Sequence, residues 1–508
     1  MSDQYNDQSK YIELRNIHKY YIDIYIALYQ LKTEKEEELN EIYKMIKTNL
    51  IDSKKRLPEN IIKDIMRIIL YNNRYTKSYL ALVKHICDDY HITEVPNIPQ
   101  IDEYLFYKEY GIKLGKSKDF NELNIGNPNI LQENTINAIM NDDIEKLIIL
   151  AGMDKFNGGQ ILQSKFYPYI YGLFSQQGFS LLELCCYYGA VNCFKFLRTK
   201  FHLHITYACL QFSFLGGNQE IMSECLKRLK PYEGCMEYAI ISHNIDFVTF
   251  LMNEHKIKID LEKCGVYNNL DPFLVYSDQT NNIDECFIAS ALFDIPSLCE
   301  YFLSHGANIN ATNELDKTAL HIAARYNNTE TIKVLLSHGA NINEKGENGE
   351  TALHIAARYN HTETIKVLHA YGANINEKNY DERTAIYYAT YYCKKEATEL
   401  LLSYGANINE KDKHGRTVLH IAVYHYNEEA IKFLISYGAN VNEKDNEGKT
   451  ALHLAFINSC IKSVELLISN GANINEKDNE GKTSMDRAID PHFKYNAERL
   501  LSHMMTNF

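Results

Sequence analysis

The decapeptide TALHIAARYN fills Thr318–Asn327 and recurs, letter for letter, at Thr351–Asn360. The step is 33 residues, and continuing it lands on Thr384, Thr417, Thr450 and Thr483. A second marker, Gly-Ala-Asn, keeps the same step at Gly306, Gly339, Gly372, Gly405, Gly438 and Gly471. Two independent markers that stay in phase define a structural repeat.

Within one unit, ETALHIAARYN and TETIKVLHA read as two short helices, with Ile365, Val367 and Leu368 available for packing. Neither is long enough to be stable alone. Gly372 follows the second, where a glycine closes a helix in the left-handed conformation without a Cβ penalty. The unit is therefore helix, turn, helix, loop, and it buries its apolar faces only by stacking on its neighbours.

These residues resemble the ankyrin repeat, with T-A-L-H-I-A-A, the helix after it and G-A-N-I-N-E in the family's order. The resemblance implies an all-α solenoid. It also implies that Thr318 with His321, Thr351 with His354, Thr417 with His420 and Thr450 with His453 are hydrogen-bonded pairs that tie each first helix to its turn and to the next unit. Such histidines are structural, because stacked repeats lie roughly 10 Å apart, too far to share one metal ion. The usual proline after the threonine is replaced by Ala319, Ala352, Ala385, Val418, Ala451 and Ser484, so a favourable helix-start residue is lost each time. Tyr387 and Asp486 stand where histidine is expected. His369 occupies a leucine or isoleucine position of the second helix and is expected to be partly buried and hydrogen-bonded.

Upstream, ECFIASALFDIPSLCEYFLSHGANIN keeps the helix pair and the Gly306 stop without T-x-L-H. INAIMNDDIEKLIILA, LLELCCYYGAVNCFKFL, ITYACLQFSFLGGNQEIMSECL and MEYAIISHNIDFVTFLMNEH repeat the same pattern of apolar segment, polar break and apolar segment at irregular spacing. The order of this degenerate block before regular units resembles the large ankyrin families of trichomonad parasites, whose block is a domain of unknown function. MDKFNGGQILQSKFYPYIYGLFSQQG reads as a large ordered loop. Nearer the N-terminus, YIELRNIHKYYIDIYIALYQL, TEKEEELNEIYKMIKTNLI, PENIIKDIMRIIL and KSYLALVKHICDDYHI read as four amphipathic helices, with Pro58 and Glu59 suited to a helix start and a further short helix near Glu103. TEVPNIPQ is the best boundary signal.

The expected organisation is thus an N-terminal helical bundle over residues 1–112, degenerate ankyrin-like helical repeats over 113–280 and an ankyrin array over 281–508. A coiled-coil dimer of the first two helices is the alternative to packing within one chain. No clean heptad is sustained, so intramolecular packing is favoured and self-association through these helices stays open.

The chain has 508 residues and a net charge of −13, which disfavours loose electrostatic binding to nucleic acid or anionic lipid. No basic-then-apolar signal and no apolar run of about 18 residues is found, so a cytoplasmic protein without membrane insertion is expected. The 12 cysteines form no C-x-x-C pair and are expected to be reduced. The tail of a phosphate-binding loop occurs as E-G-K-T at Gly448–Thr450 and Gly481–Thr483, but Glu443 and Glu476 stand where its first glycine is required. Cys185, Cys186 and Cys193 alternate with core-like residues. No catalytic residue, cofactor or metal ligand is therefore assigned, and the chain reads as a non-enzyme.

The ankyrin resemblance implies a concave partner surface made by hairpin tips and first helices. By register, the helix-side pairs are Arg325 and Tyr326, Arg358 and Tyr359, Tyr391 and Tyr392, and Tyr424 and His425. Tyr380, Asp381, Arg383, Lys413, His414 and Arg416 extend it along the hairpins. Tyrosine and arginine supply large, planar contacts at modest entropic cost and dominate interface hot spots. The function expected is a scaffold or adaptor that binds a protein partner there. The alternatives are a substrate-recruiting subunit of an enzyme complex such as a ubiquitin ligase, or an enzyme with an unrecognised N-terminal site.

Overall fold

The computed structural model describes residues 10–96, 98–115, 120, 130–162, 167 and 178–506. The chain forms two compact units, Met1–Asn281 and Asn282–Phe508.

In the second unit six helix pairs follow one another among the described residues: Ile283–Ser290 with Pro296–Ser304, Ala319–Tyr326 with Thr329–Ser337, Ala352–Arg358 with Thr362–Ala370, Ala385–Tyr391 with Lys395–Ser403, Val418–Tyr424 with Glu428–Ser436, and Ala451–Ile457 with Ile461–Ser469. The reason lies in what each repeated letter does. Thr351 adopts extended backbone and caps its helix, and its own N–H donates to Nδ1 of His354 at 3.1 Å. The other ring nitrogen of His354 reaches the carbonyl of Arg383 in the next repeat at 2.9 Å. His420 and His453 make the same step to the carbonyls of Lys449 and Lys482. One histidine thus closes a helix start and joins two repeats, with no water-accessible polar atom left over.

The G-A-N-I-N-E-K segment is equally specific. Oδ1 of Asn343 accepts the backbone N–H of Asn374 at 3.0 Å, and Asn376 does the same for Asn407 at 2.8 Å. Lys345 pairs with Glu377, Lys378 with Glu410, Lys411 with Glu443 and Lys444 with Glu476, each spanning one repeat. These exposed or half-exposed pairs fix register more than they stabilise. Gly372 sits at φ +89 with nothing near a would-be Cβ, so backbone conformation alone calls for glycine there. Where histidine is missing, Tyr387 turns to stack under Arg383 at 4.8 Å, and Asp486 accepts the N–H and hydroxyl of Thr483. His369 is half-buried and lies face to face on Tyr404, with ring centroids 3.8 Å apart.

The first unit holds five further pairs among the described residues: Ile130–Met140 with Ile144–Ala151, Leu181–Tyr188 with Val191–Phe201, Tyr207–Gly216 with Gln219–Leu226, Glu233–Ile241 with Ile245–His255, and Leu261–Val266 with Leu270–Gln279. Ser180 and Glu183 form a capping box in place of threonine and histidine. A two-residue antiparallel ladder, Ile161–Leu162 with Phe179–Ser180, closes the base of the expected ordered loop; most of that loop lies outside the described residues. Lys10–Ile17, Lys19–Tyr29, Glu36–Ile46, Pro58–Ile69, Thr76–Asp89 and Gln100–Tyr110 precede the pairs. The first predicted helix is broken at the buried His18, and Pro58 starts its helix with Glu59 in the first turn.

These N-terminal helices pack against the pairs of the same unit. Arg56 is the centre of the contact: its guanidinium reaches Asp64 at 3.1 Å, the Tyr25 hydroxyl at 2.7 Å and Oδ1 of Asn268 at 2.9 Å. The Tyr25 hydroxyl donates to Asp64 and that of Tyr21 to Asn268, both at 2.7 Å. All five groups are buried, so the charges are compensated where water cannot reach.

Candidate protein-binding surface

In every unit the first helix ends at one residue in the left-handed conformation. These are Asp142, Gly189, Gly217, His243 and Asn268 in the first unit and Asp294, Asn327, Asn360, Cys393, Tyr426 and Ser459 in the array. The two residues before this turn therefore occupy equivalent places throughout. At the turns of Asn327, Asn360, Cys393 and Tyr426 they are the eight helix-side residues singled out by register: Arg325 and Tyr326, Arg358 and Tyr359, Tyr391 and Tyr392, Tyr424 and His425.

In the first unit the equivalent places are covered by the chain itself. The Tyr187 hydroxyl donates to the carbonyl of Leu70, and that of Tyr188 to Asn73 at 2.8 Å. Arg74 donates to the carbonyl of Tyr188, Gln30 to those of Ser242 and His243, and Arg67 to that of Val266 at 2.7 Å. Tyr29 stacks on His243 with centroids 4.1 Å apart, and Tyr71 meets Tyr267 edge to face. The N-terminal helices thus recognise this face with tyrosine, arginine and backbone carbonyls.

At these four turns of the array the places are partly or fully open, whereas Leu292 and Phe293, before the turn at Asp294, are buried. Tyr359 is 38% exposed, Tyr391 38%, Tyr392 44% and Tyr424 58%, and Tyr380 on a hairpin reaches 71%. Large aromatic rings at this exposure form an apolar stripe with hydroxyl tips. The arginines are held differently. Arg358 pairs with Glu350 and lies over the rings of Tyr388 at 4.5 Å and Tyr392 at 5.9 Å. Arg416 forks onto the buried Asp412 at 3.0 and 3.2 Å, and Arg383 pairs with Asp381 at 3.0 Å. Lys413, hydrogen-bonded to Asp381, holds that carboxyl below its usual range. His414 lies at the same hairpin, where its N–H donates to Asp412. Arg325 stays near Tyr326 at 5.7 Å, and His425 meets the Tyr391 ring edge-on at 4.5 Å. The tyrosines therefore offer contact area, while Arg358, Arg383 and Arg416 hold the surface rigid. Glu350, Tyr388 and Asp412 were not picked out from sequence, although each lies within ten residues of an arginine that was.

The reactive alternatives have a different geometry. Cys185, Cys186 and Cys193 are fully buried; burial raises the thiol of Cys185 well above the ordinary range and that of Cys193 to about 12. Such thiols are poor nucleophiles. In the E-G-K-T segment Thr450 caps a helix, while Gly448 turns a hairpin at φ +75. Among the described residues no group of three or more His, Cys, Asp or Glu is placed to hold a metal, and no helix is long and apolar enough to cross a membrane.

Stacked helix pairs of 33 residues, capped by threonine and histidine and joined by extended loops, define an ankyrin-type solenoid. Three overlapping segments, residues 286–379, 341–412 and 386–478, match the family described as "Ankyrin repeats (3 copies)", and residues 201–276 match "Domain of unknown function (DUF3447)". The chain carries ankyrin repeats, preceded by that domain of unknown function. Among solved structures it is similar to the ankyrin repeat domain of Bcl-3, described as a unique member of the IkappaB protein family, at 26% identity and TM-score 0.40 over 44% of this chain and 99% of that one. It is also similar to the human ASB11 ankyrin repeat domain, at 23% identity and TM-score 0.37 over 43% of this chain and 98% of that one. No curated protein matches the chain. Ankyrin repeats are generally protein–protein interaction modules.

Proposed function

We propose that the chain is a non-enzymatic adaptor whose ankyrin array holds a protein partner along the tyrosine stripe at the ends of its first helices. One observation carries this reading. In the first unit the places before the turns at Gly189, His243 and Asn268 are engaged by the N-terminal helices of the same chain, whereas before the turns at Asn360, Cys393 and Tyr426 they carry exposed tyrosines. A face that binds protein in one half of a chain is a fitting place for a protein in the other. A standard interface of roughly 800 Å² per side fits such a stripe, and its core would be built from aromatic anchors.

The test is affinity purification of the intact chain from native extract beside a Tyr359→Ala, Tyr392→Ala variant and a Lys366→Ala control on the second helix. Each tyrosine that acts as an anchor is worth about 2 kcal/mol or more, roughly 30-fold in affinity. Both rings are partly exposed, so the fold should survive, as circular dichroism would check. Partners held by the wild type and the control but lost from the double variant support the adaptor reading; equal capture by all three removes the stripe as the site.

A further inference from the structure

A pair of adjacent tyrosines stands at the same place in both units. Tyr187 and Tyr188 precede the left-handed Gly189 in the first unit, and Tyr391 and Tyr392 precede the left-handed Cys393 in the array. The two helix ends are closed by the same bonds. Gly189 donates its N–H to the carbonyl of Cys186 and Ala190 to that of Cys185, while Cys393 donates to Thr390 and Lys394 to Ala389. The rings also meet alike, edge to face, with centroids 4.7 Å apart in the first pair and 5.0 Å apart in the second.

The first pair is read by residues 70–74 of the same unit. The Tyr187 hydroxyl donates to the carbonyl of Leu70 at 3.0 Å and accepts the N–H of Asn73 at 3.4 Å, and the Tyr188 hydroxyl donates to Oδ1 of Asn73 at 2.8 Å. Arg74 donates to the carbonyl of Tyr188 at 3.1 Å, and its guanidinium lies 5.5 Å from the centre of that tyrosine's ring. A cation suits this place, because the last carbonyls of a helix lack partners within it and carry the negative end of its dipole.

The second pair presents the same groups to solvent. Tyr391 is 38% and Tyr392 44% exposed, and among the described residues no hydrogen bond engages their hydroxyls or the carbonyl of Tyr392. Arg358, 5.9 Å from the Tyr392 ring, and His425, 4.5 Å from that of Tyr391, hold the rings in place.

We propose that Tyr391 and Tyr392 receive an asparagine–arginine pair of the protein bound along the stripe, in the way that residues 70–74 engage Tyr187 and Tyr188. The guanidinium meets the carbonyl and ring of Tyr392, the asparagine side chain accepts the Tyr392 hydroxyl, and a backbone carbonyl three residues before the asparagine accepts that of Tyr391. Arginine is favoured over lysine, because a planar guanidinium donates to a carbonyl while it stacks on a ring. That a protein supplies the pair rests on the adaptor reading; the chemistry of the site does not.

The probe is the blocked peptide ILYNNRYT, residues 69–76 of this chain. 3-Fluorotyrosine is placed at Tyr392 of the full chain and, in a second sample, at Tyr437, which is 52% exposed at the end of a second helix. Fluorine NMR spectra are then followed through a peptide titration. The signal at Tyr392 should shift saturably with a midpoint on the order of 1 mM, and that at Tyr437 should stay in place. An Arg74→Gln peptide should raise the midpoint about tenfold or more, and an Arg74→Lys peptide about three- to tenfold. No saturable shift at Tyr392, a matching shift at Tyr437, or equal midpoints for the arginine and glutamine peptides overturns the proposal. The adaptor reading fails separately, through native capture by the Tyr359→Ala, Tyr392→Ala variant. Peptide binding with unchanged capture keeps this chemistry and removes a native protein as its source, whereas lost capture with no peptide response keeps the adaptor and removes the asparagine–arginine pair.

Discussion

Replacing Arg56 by methionine should loosen the N-terminal helices from the repeats they cover. The substitution removes the ion pair to Asp64 at 3.1 Å and the bonds to Tyr25 and Asn268, at a site 9% exposed. Breaking a buried pair by deleting one partner costs about 3–5 kcal/mol, because the other charge stays buried. Asp64 would keep the Tyr25 hydroxyl at 2.7 Å and Arg67 at 3.9 Å, which places the loss near the lower end, about 3 kcal/mol. Amide hydrogen exchange followed by mass spectrometry resolves this locally in a chain whose two units need not unfold together. Exchange over residues 58–69 and 261–279 should accelerate roughly a hundredfold, while the array is unchanged. The Arg56→Met, Asp64→Asn double variant should recover most of the loss, since it removes the stranded charge as well. A change below about threefold, or a double variant worse than the single one, would show that this node does not hold the cover in place.

Three further outcomes follow from the array. Burial holds the His354 imidazole down to about 4, and burial lowers His321, His420 and His453 as well. A depressed histidine is neutral when folded, so its stabilisation is complete above the unfolded value near 6.5 and is lost as pH falls toward 4, about 3 kcal/mol for His354 alone; melting temperatures by circular dichroism should drop steadily across that window, and a flat profile from pH 7 to 4.5 would contradict it. Gly405→Ala, at φ +86 in open space, should cost only the left-handed backbone term of about 1–2 kcal/mol in urea unfolding. Gly415→Ala should cost more, because its Cβ would meet the Asn446 backbone nitrogen at 2.6 Å; equal losses for the two would refute the packing argument. Asn360→Ala should destabilise by about 2–3 kcal/mol through the lost bonds to Ala397 and Glu396 and an alanine held in the left-handed region, and a loss under 1 kcal/mol would deny that this turn couples repeats.

The array was legible because each of its letters acts locally or on the next repeat, so a fixed step preserves both function and spacing. Helix pairs in the degenerate block were also legible from apolar segments around a polar break. The pair Leu261–Val266 with Leu270–Gln279 escaped, because its first helix has six residues and no glycine stop follows it. The break at His18 escaped too: a buried histidine inside an amphipathic run gives no sequence signal. His369 was expected to be hydrogen-bonded, and its recorded neighbour is the Tyr404 ring, one repeat on. The packing of the N-terminal helices on the repeats was beyond sequence reading. Tyr21 and Asn268 are 247 residues apart, and neither pattern nor periodicity links them. The stripe positions could be named by register, but their exposure depended on what covers them, which only the structure distinguishes between the two units.

The central claim is that a partner lies on the first-helix ends of the array. The most direct measurement places a photo-crosslinking amino acid at Tyr359, at Tyr391 and, as the comparison, at exposed Lys366 on the second helix, and irradiates each intact chain in native extract. Adducts to the same protein from Tyr359 and Tyr391 but not from Lys366 are the predicted result. Adducts from Lys366 with none from the two tyrosines would place the partner on the opposite face and contradict the account.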